Sequence, residues 1–241
     1  MAGWPKRPAK LALTRLSTQR EFEEHTVRTQ RERARLRELE RTLAQNTPSF
    51  QTPGFCFVCG RWTEFHSSWA WSYESQGRKQ INWREHLLCR SCGLNNRLRA
   101  AIHLLAEVGV SLRHSQVYAT EETTPLFARL RQRCPSIVGS EYIGGTIPLG
   151  ATNAVGITNQ DLTKLTFPDE QFDLILSFEV MEHVPNYCKA FGECARTLKP
   201  GGKMLFSAPF DANAVLNRIR ARLLQMARWS TSCRPNAMAI L

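Results

Sequence analysis

Apolar positions change their period twice along this chain. From Thr14 to Thr47 no glycine or proline intervenes, and Leu36, Leu39 and Leu43 recur at helical spacing among Arg28, Arg31, Arg33, Arg35, Arg37 and Arg41. That pattern predicts one charged helix over 14–46, with Glu24 and Arg28 at the favourable i,i+4 spacing and a leucine seam too short for a coiled coil. Thr47-Pro48 through Pro53-Gly54 predicts a linker. The helical period returns at Leu94, Leu98, Ile102 and Leu105, with Arg97 and Arg99 off that apolar face, as solvated groups or phosphate contacts.

From residue 115 short apolar runs alternate with amphipathic ones, the signature of an α/β sheet. Strands are predicted at Gln116–Thr120, Pro135–Glu141, Ala154–Thr158 and Phe172–Phe178, and a fifth at Lys203–Ala208. The run FDLILSF suits a strand buried on both faces. Helices are predicted at Thr124–Arg133 and Asn186–Leu198, the latter with Tyr187, Ala190, Phe191, Cys194, Ala195 and Leu198 inward. Only about a dozen residues lie between Glu141 and the third strand, too few for a crossover helix, so Gly144–Gly150 reads as a loop.

Composition adds two constraints. The chain has 241 residues, 42% of them hydrophobic and 22% charged, which excludes a fibrous or largely disordered protein. No apolar run reaches the ~18 residues of a membrane span and no secretory signal precedes the chain, so a reducing cytoplasm and no membrane partner are expected. The net charge of +11 is unevenly placed: residues 1–100 hold 18 Lys/Arg against 9 Asp/Glu, and residues 101–217 hold 9 against 12. The basic first third could attract a nucleic acid, and a solvated charged helix explains it equally well.

The sharpest chemical signal is a pair of cysteine knuckles. Cys56-Phe-Val-Cys59-Gly60 is followed by Cys89-Arg-Ser-Cys92-Gly93, with 29 residues between Cys59 and Cys89. In a reducing compartment cysteines at such spacing are metal ligands more often than disulfides. A C-x2-C turn presents two thiolates on one side of a tight loop, and the following glycine can adopt the positive φ that aims backbone N–H groups at sulfur. Two knuckles supply the four tetrahedral ligands of a structural zinc site, with redox activity the weaker alternative. Trp62, Trp69, Trp71 and Trp83 lie in the spacer and are expected to form its small core. Cys134, Cys188 and Cys194 read as small buried residues.

The run from Asp161 to Phe210 resembles the C-terminal half of a class I S-adenosylmethionine-dependent methyltransferase of the type 11 group. Asp161, Phe167-Pro168-Asp169, Phe172-Asp173, Glu182-His183 and Lys199-Pro-Gly-Gly202 carry the resemblance. The cysteine segment resembles a zinc-ribbon-like module that precedes the fold in one subgroup. The resemblance implies a Rossmann-like, mostly parallel sheet in an α/β fold. It implies S-adenosylmethionine as cofactor, with Glu141 on the ribose hydroxyls, Asp161 and Leu162 beside the adenine, and Ser177 and Phe178 along the methionine portion. Glu179 and His183 are the catalytic candidates, though the Glu-His pair commonly holds a loop in this family. A small-molecule or saccharide acceptor is favoured by the acidic middle of the chain, and a nucleic acid by its basic start. A non-catalytic binding protein or a zinc-ribbon nucleic-acid binder are the rival readings.

The chain departs from the family at three places. Ala119-Thr-Glu-Glu-Thr-Thr-Pro125 replaces the glycine-rich loop, with Glu121 as a partner for the cofactor's amino group. The crossover before the third strand is shortened. The antiparallel pair that normally follows the fifth strand has no counterpart in residues 225–241, so the sheet is expected to be C-terminally truncated. Allowed codons for that tail, read in a shifted frame, spell DGEVEHILPPECHGDP, so a frameshift would explain it. The expected organisation is a helical arm over 1–50, the zinc module and connecting helix over 51–112, the methyltransferase domain over 113–224, and the tail.

Overall fold

The computed structural model describes residues 14–75, 77–107, 110–209, 221–223 and 229–231. The chain divides into two compact units, residues 1–109 and 110–241. Among the described residues no helix is long and apolar enough to cross a membrane.

In the first unit the expected single helix is two, α1 (Gln19–Arg28) and α2 (Gln30–Leu43), joined at Thr29. Thr29 Oγ1 donates back to the His25 carbonyl at 2.8 Å, the kind of local bond by which threonine competes with the helical ladder. A Thr18/Glu21 capping box starts α1. Neither helix buries a residue, and Leu36 and Leu39 stay exposed. Glu24 pairs with Arg20, the partner on the other side of the one expected.

The stretch expected to be a linker is instead strand. β1 (Ser49–Cys56) pairs antiparallel with β2 (Arg61–Ser68), and β2 pairs with β5 (Leu88–Cys89); a separate hairpin joins β3 (Tyr73–Ser75) and β4 (Arg78–Gln80). Pro53 and Gly54 sit within β1, an edge strand, where the missing proline N–H costs least. Gly54 is required there, since a Cβ would meet the Phe65 ring at 2.8 Å. A small core of Phe50, Ile81 and Trp83 takes in Trp69 and Leu43. Trp71 does not join it and is 73% exposed. Helix α3 (Asn96–Glu107) follows, preceded by Leu94, and Leu94, Leu98, Ile102 and Leu105 are all buried.

The second unit holds a four-stranded parallel sheet in the order β7-β6-β8-β9, with β6 Val117–Ala119, β7 Ile137–Gly139, β8 Phe172–Phe178 and β9 Leu198–Ser207. Helix α4 (Pro125–Arg131) connects β6 to β7 and α5 (Tyr187–Thr197) connects β8 to β9. β8 matches its predicted span and is buried almost throughout, as a central parallel strand must be. Tyr118 stacks on Phe172, and Phe167 meets both edge-on. The Tyr118 hydroxyl is satisfied by Ser140 at 2.7 Å. We expect Ile175→Ala, at the centre of this fully buried cluster, to cost about 2–5 kcal/mol, read as a lower urea midpoint by far-ultraviolet circular dichroism. A loss below 1 kcal/mol would contradict this packing.

Several expectations are corrected here. Ala154–Thr158 is not a strand: Thr152 and Thr158 bridge within a loop, and only Asn159, beside Glu141, reaches the parallel sheet. No crossover helix stands there; buried Asn159 organises the loop instead. Its Nδ2 donates to the Gly144 and Ile147 carbonyls, and its Oδ1 accepts from the Ile143 N–H. Lys199-Pro-Gly-Gly202 does not precede β9 but lies inside it, where the pairing jumps from Phe172–Leu198 to Leu174–Lys203. Gly201 takes φ +77°, and a Cβ on Gly202 would meet the Lys199 carbonyl. Tyr187 and Ala195 are exposed, leaving Ala190, Cys194 and Thr197 as the buried face of α5. Cys188 is also exposed, whereas Cys134 and Cys194 are buried. Most of residues 225–241 lie outside the described residues. Within the tail Trp229–Thr231 (β11) pairs antiparallel with Ala221–Leu223 (β10), apart from the parallel sheet.

Candidate metal centre and candidate active site

The two cysteine knuckles converge. The ligand atoms of Cys56, Cys59, Cys89 and Cys92 all lie within 4.8 Å of one another. Cys56 ends β1 and Cys89 ends β5, and both strands flank β2, so the hairpin brings the knuckles together. Gly60 and Gly93 take φ of +65° and +72°, and the Gly93 N–H closes its turn on the Cys89 carbonyl at 2.9 Å. Between the knuckles, Cys56 Sγ stands 3.9 Å from Cys92 Sγ and Cys59 Sγ 3.8 Å from Cys89 Sγ. Four sulfurs at ~2.3 Å from one ion in a tetrahedron stand about 3.8 Å apart. The donor set therefore fits a tetrahedral metal. Burial pushes the Cys92 thiol up to about 11. At Cys89 burial acts the same way, yet N–H donation from Cys92 and Ser91 brings the thiol down to about 7.

Arg97 and Arg99 do not form a solvated pair. Arg97 is bound by Glu85 at 2.9 Å. Arg99 is only 8% exposed, a placement the off-face position in sequence did not disclose.

In the second unit the carboxyl ends of β6, β7 and β8 lie side by side, the position where open parallel sheets bind ligands. The loop after β6 is closed by carboxylates. Glu141, just beyond β7, accepts through Oε1 from the Glu122 N–H at 3.0 Å, the Thr123 N–H at 3.0 Å and Thr123 Oγ1 at 2.7 Å. Gly139 lets the loop approach: a Cβ there would stand 2.4 Å from Glu122 Cβ. Burial raises the Glu122 carboxyl, against N–H donation from Thr158.

The buried Glu121 carboxylate accepts from the Phe178 N–H at 3.2 Å and from Thr120 Oγ1 at 2.8 Å, and so ties β6 to β8. Ser177 is fully buried with its hydroxyl 3.0 Å from Thr120 Oγ1, and the Phe178 side chain is buried too. Leu162 packs into the core around Tyr118. These three therefore offer their side chains to the fold.

Asp161 lies in the loop between β7 and β8, two residues after the Asn159 bridge to Glu141. Its Oδ1 accepts from the Thr163 N–H and Oγ1, both at 2.8 Å. Glu141 thus spends one oxygen on the loop after β6 and Asp161 one on its own turn, and no described hydrogen bond uses the second oxygen of either. Glu179, at the end of β8, has φ +61°, and its carboxylate accepts from Ser207 Oγ at 2.9 Å. A strained backbone at a strand end is a common mark of a functional position. The His183 side chain is 73% exposed and lies 4.0 Å from Glu182.

The remaining motif residues hold the unit together. Arg196, which sequence reasoning passed over, donates to Asp169 at 2.6 Å, to Glu193, and to the Phe167 and Leu165 carbonyls. Lys199 pairs with Asp173 at 2.9 Å. Asp173 also accepts from the Gln116 N–H, and that bond, then Lys199, holds its carboxyl below the usual range. The Glu193-x-x-Arg196 spacing was the legible signal.

Residues 110–206 match the family model described as a methyltransferase domain. A protein of Mycolicibacterium smegmatis named as an S-adenosylmethionine-dependent methyltransferase is 38% identical over 75 residues, covering 30% of this chain and 29% of its own. An Encephalitozoon cuniculi protein named as a methyltransferase is 39% identical over 75 residues, covering 30% of this chain and 36% of that one. The ubiquinone biosynthesis O-methyltransferase of Coxiella burnetii is 44% identical over 48 residues, 20% of each chain. The chain thus spans between a fifth and about a third of the curated relatives it matches. A solved S-adenosylmethionine-dependent methyltransferase from Mesorhizobium loti superimposes at a TM-score of 0.36 and 21% identity, over 53% of this chain and 61% of that one. The family match lies over the parallel sheet itself, so residues 110–206 are similar to a methyltransferase domain.

Proposed function

We propose that the protein transfers a methyl group from S-adenosylmethionine to a small-molecule or saccharide acceptor, and that Cys56, Cys59, Cys89 and Cys92 hold a structural zinc ion. The observation that carries the first part is the family match over the parallel sheet, with Glu141 just beyond β7 and Asp161 two residues after its bridge partner Asn159. Bound there, S-adenosylmethionine supplies a methyl group on a cationic sulfur. The chain's own part is then alignment, which can account for most of the acceleration of such a transfer. Glu141 and Asp161 would hold the nucleoside. Glu179, fixed by Ser207, would orient the acceptor, and exposed His183 would take a proton where the acceptor must lose one. Four thiolates fill a tetrahedral zinc, leaving no open position for substrate, so the metal's role is to fold its module.

Calorimetric titration with S-adenosylmethionine and with its demethylated product tests the cofactor. We expect saturable binding of both. Absence of binding by zinc-replete, folded protein would move the reading to a non-catalytic scaffold, which the closed, glycine-free loop after β6 favours. The basic first third favours a nucleic-acid acceptor. RNA binding that weakens steeply with salt would establish that reading over the small-molecule one.

A further inference from the structure

Arg99 stands against the cysteine cluster, and its surroundings identify a function for it. The residue is on α3, 8% exposed, and every contact it makes points inward. Its Nη2 donates to the Leu87 carbonyl at 2.9 Å and to Asn96 Oδ1 at 3.2 Å, and its Nε to the Asn95 carbonyl at 3.3 Å. The guanidinium lies 4.2 Å from the centre of the Phe65 ring. Leu87 directly precedes β5, and Phe65 of β2 pairs in register with Cys89. Arg99 is therefore fixed beside the strand that ends in Cys89 and the residue paired with it, where its charge acts on the thiols of Cys56, Cys89 and Cys92.

An arginine this buried is rare unless something compensates its charge. No carboxylate bonds to it in the described hydrogen bonds; its acceptors are two carbonyls and an amide. Four thiolates around a divalent ion leave a net charge of −2 in a buried site. Each charge is costly alone in this environment, and together they offset one another.

We propose that Arg99 is the built-in countercharge of the cysteine site, a positioning residue that sets how tightly the four thiolates hold a divalent metal. The proposal rests on the zinc reading above. It extends that reading from the ligands to the group that makes a doubly negative cluster tolerable inside a small module. The carbonyl and ring contacts lock the guanidinium in place, so its charge is delivered to the sulfurs without a further ordering cost. Outer partners of this kind change metal affinity by about 10–100-fold.

The test compares full-length wild-type protein with Arg99→Gln, Arg99→Lys and, as a control, Arg97→Met. Zinc affinity is measured by competition with a chromophoric chelator, and cobalt substitution reports the sulfur-to-metal charge-transfer band. Arg99→Gln keeps a donor for the Leu87 carbonyl while removing the charge. It is expected to bind zinc about 10–100-fold more weakly and to move the cobalt band to longer wavelength, because the Cys56 thiolate is no longer stabilised. Arg99→Lys should recover most of the affinity, and Arg97→Met should match wild type. Equal affinity in Arg99→Gln and wild type, with an unshifted band, would overturn the proposal while leaving the zinc site standing. Equal losses in the Gln and Lys variants would also overturn it, since that outcome marks a packing role. Failure of the wild-type protein to bind zinc or cobalt would remove the metal reading itself.

Discussion

Replacing Cys89 by serine, or withdrawing metal with a strong chelator, is expected to unfold the cysteine module outright. Among the described residues of the first unit the buried apolar side chains are few: Phe50, Val58, Phe65, Ile81, Trp83 and the apolar face of α3 with Leu94. Small segments of this kind need a staple. Structural zinc contributes about 10–16 kcal/mol in zinc-finger peptides at neutral pH, comparable to the whole stability of an ordinary domain. Trp83 is 9% exposed, so its fluorescence should move to the red as the module opens, and β1–β2 should become protease-sensitive. Elemental analysis should find one zinc per chain in wild-type protein and none in Cys89→Ser. A metal-free protein that keeps its Trp83 signal and resists protease would refute the assignment.

Glu141→Ala should produce the second largest effect, in the other unit. The carboxylate satisfies two backbone N–H groups and a hydroxyl of the loop after β6 through one oxygen, and the proposal assigns its other oxygen to the cofactor's ribose. Hydrogen bonds to a charged group are worth about 1.5–3 kcal/mol each, so affinity for S-adenosylmethionine should fall at least about tenfold. Two readouts separate the causes. Amide exchange at Thr123 reports the loop, and calorimetry reports the ligand. Glu141→Gln retains an acceptor for the loop, so it should protect Thr123 better than alanine while still binding cofactor more weakly than wild type. Unchanged affinity in Glu141→Ala would exclude this carboxylate from the ligand site.

The family residues divide into two kinds in the structure. Asp169, Asp173 and Lys199 are taken up in ion pairs and carbonyl contacts that fasten the loop before β8 and the edge of β9. They mark the family because the fold depends on them. Glu141, just beyond β7, and Asp161, in the loop that follows, each retain an oxygen that no described hydrogen bond uses. The loop after β6 is where the chain departs most from its relatives' pattern. There Glu121, read from sequence as a ligand to the cofactor, bonds the Phe178 N–H, because that buried donor beyond the β6–β8 ladder needs an acceptor. An unpaired backbone group in that place would cost more than the glutamate gains by facing water.

What the sequence determined by itself were the features set by short-range spacing and by burial on both faces. β8 was legible because a central parallel strand needs an unbroken apolar run, and the four thiols because C-x2-C-Gly is a local geometric device. The inward face of α3 followed from its 3.6-residue period. Tertiary structure alone decided features whose partners lie far away in the chain. Ala154–Thr158 looks like a strand but carries no ladder, since Asn159 draws the neighbouring carbonyls into a loop. The Pro48–Gly54 stretch looks like a linker but pairs as β1, since β2 lies alongside it. Arg99 looks solvated on a helical wheel but is buried, since the thiol cluster that tolerates its charge is assembled only by the fold. Periodicity records which face a residue occupies, whereas the charge and hydrogen-bonding groups opposite that face exist only after the chain has closed on itself.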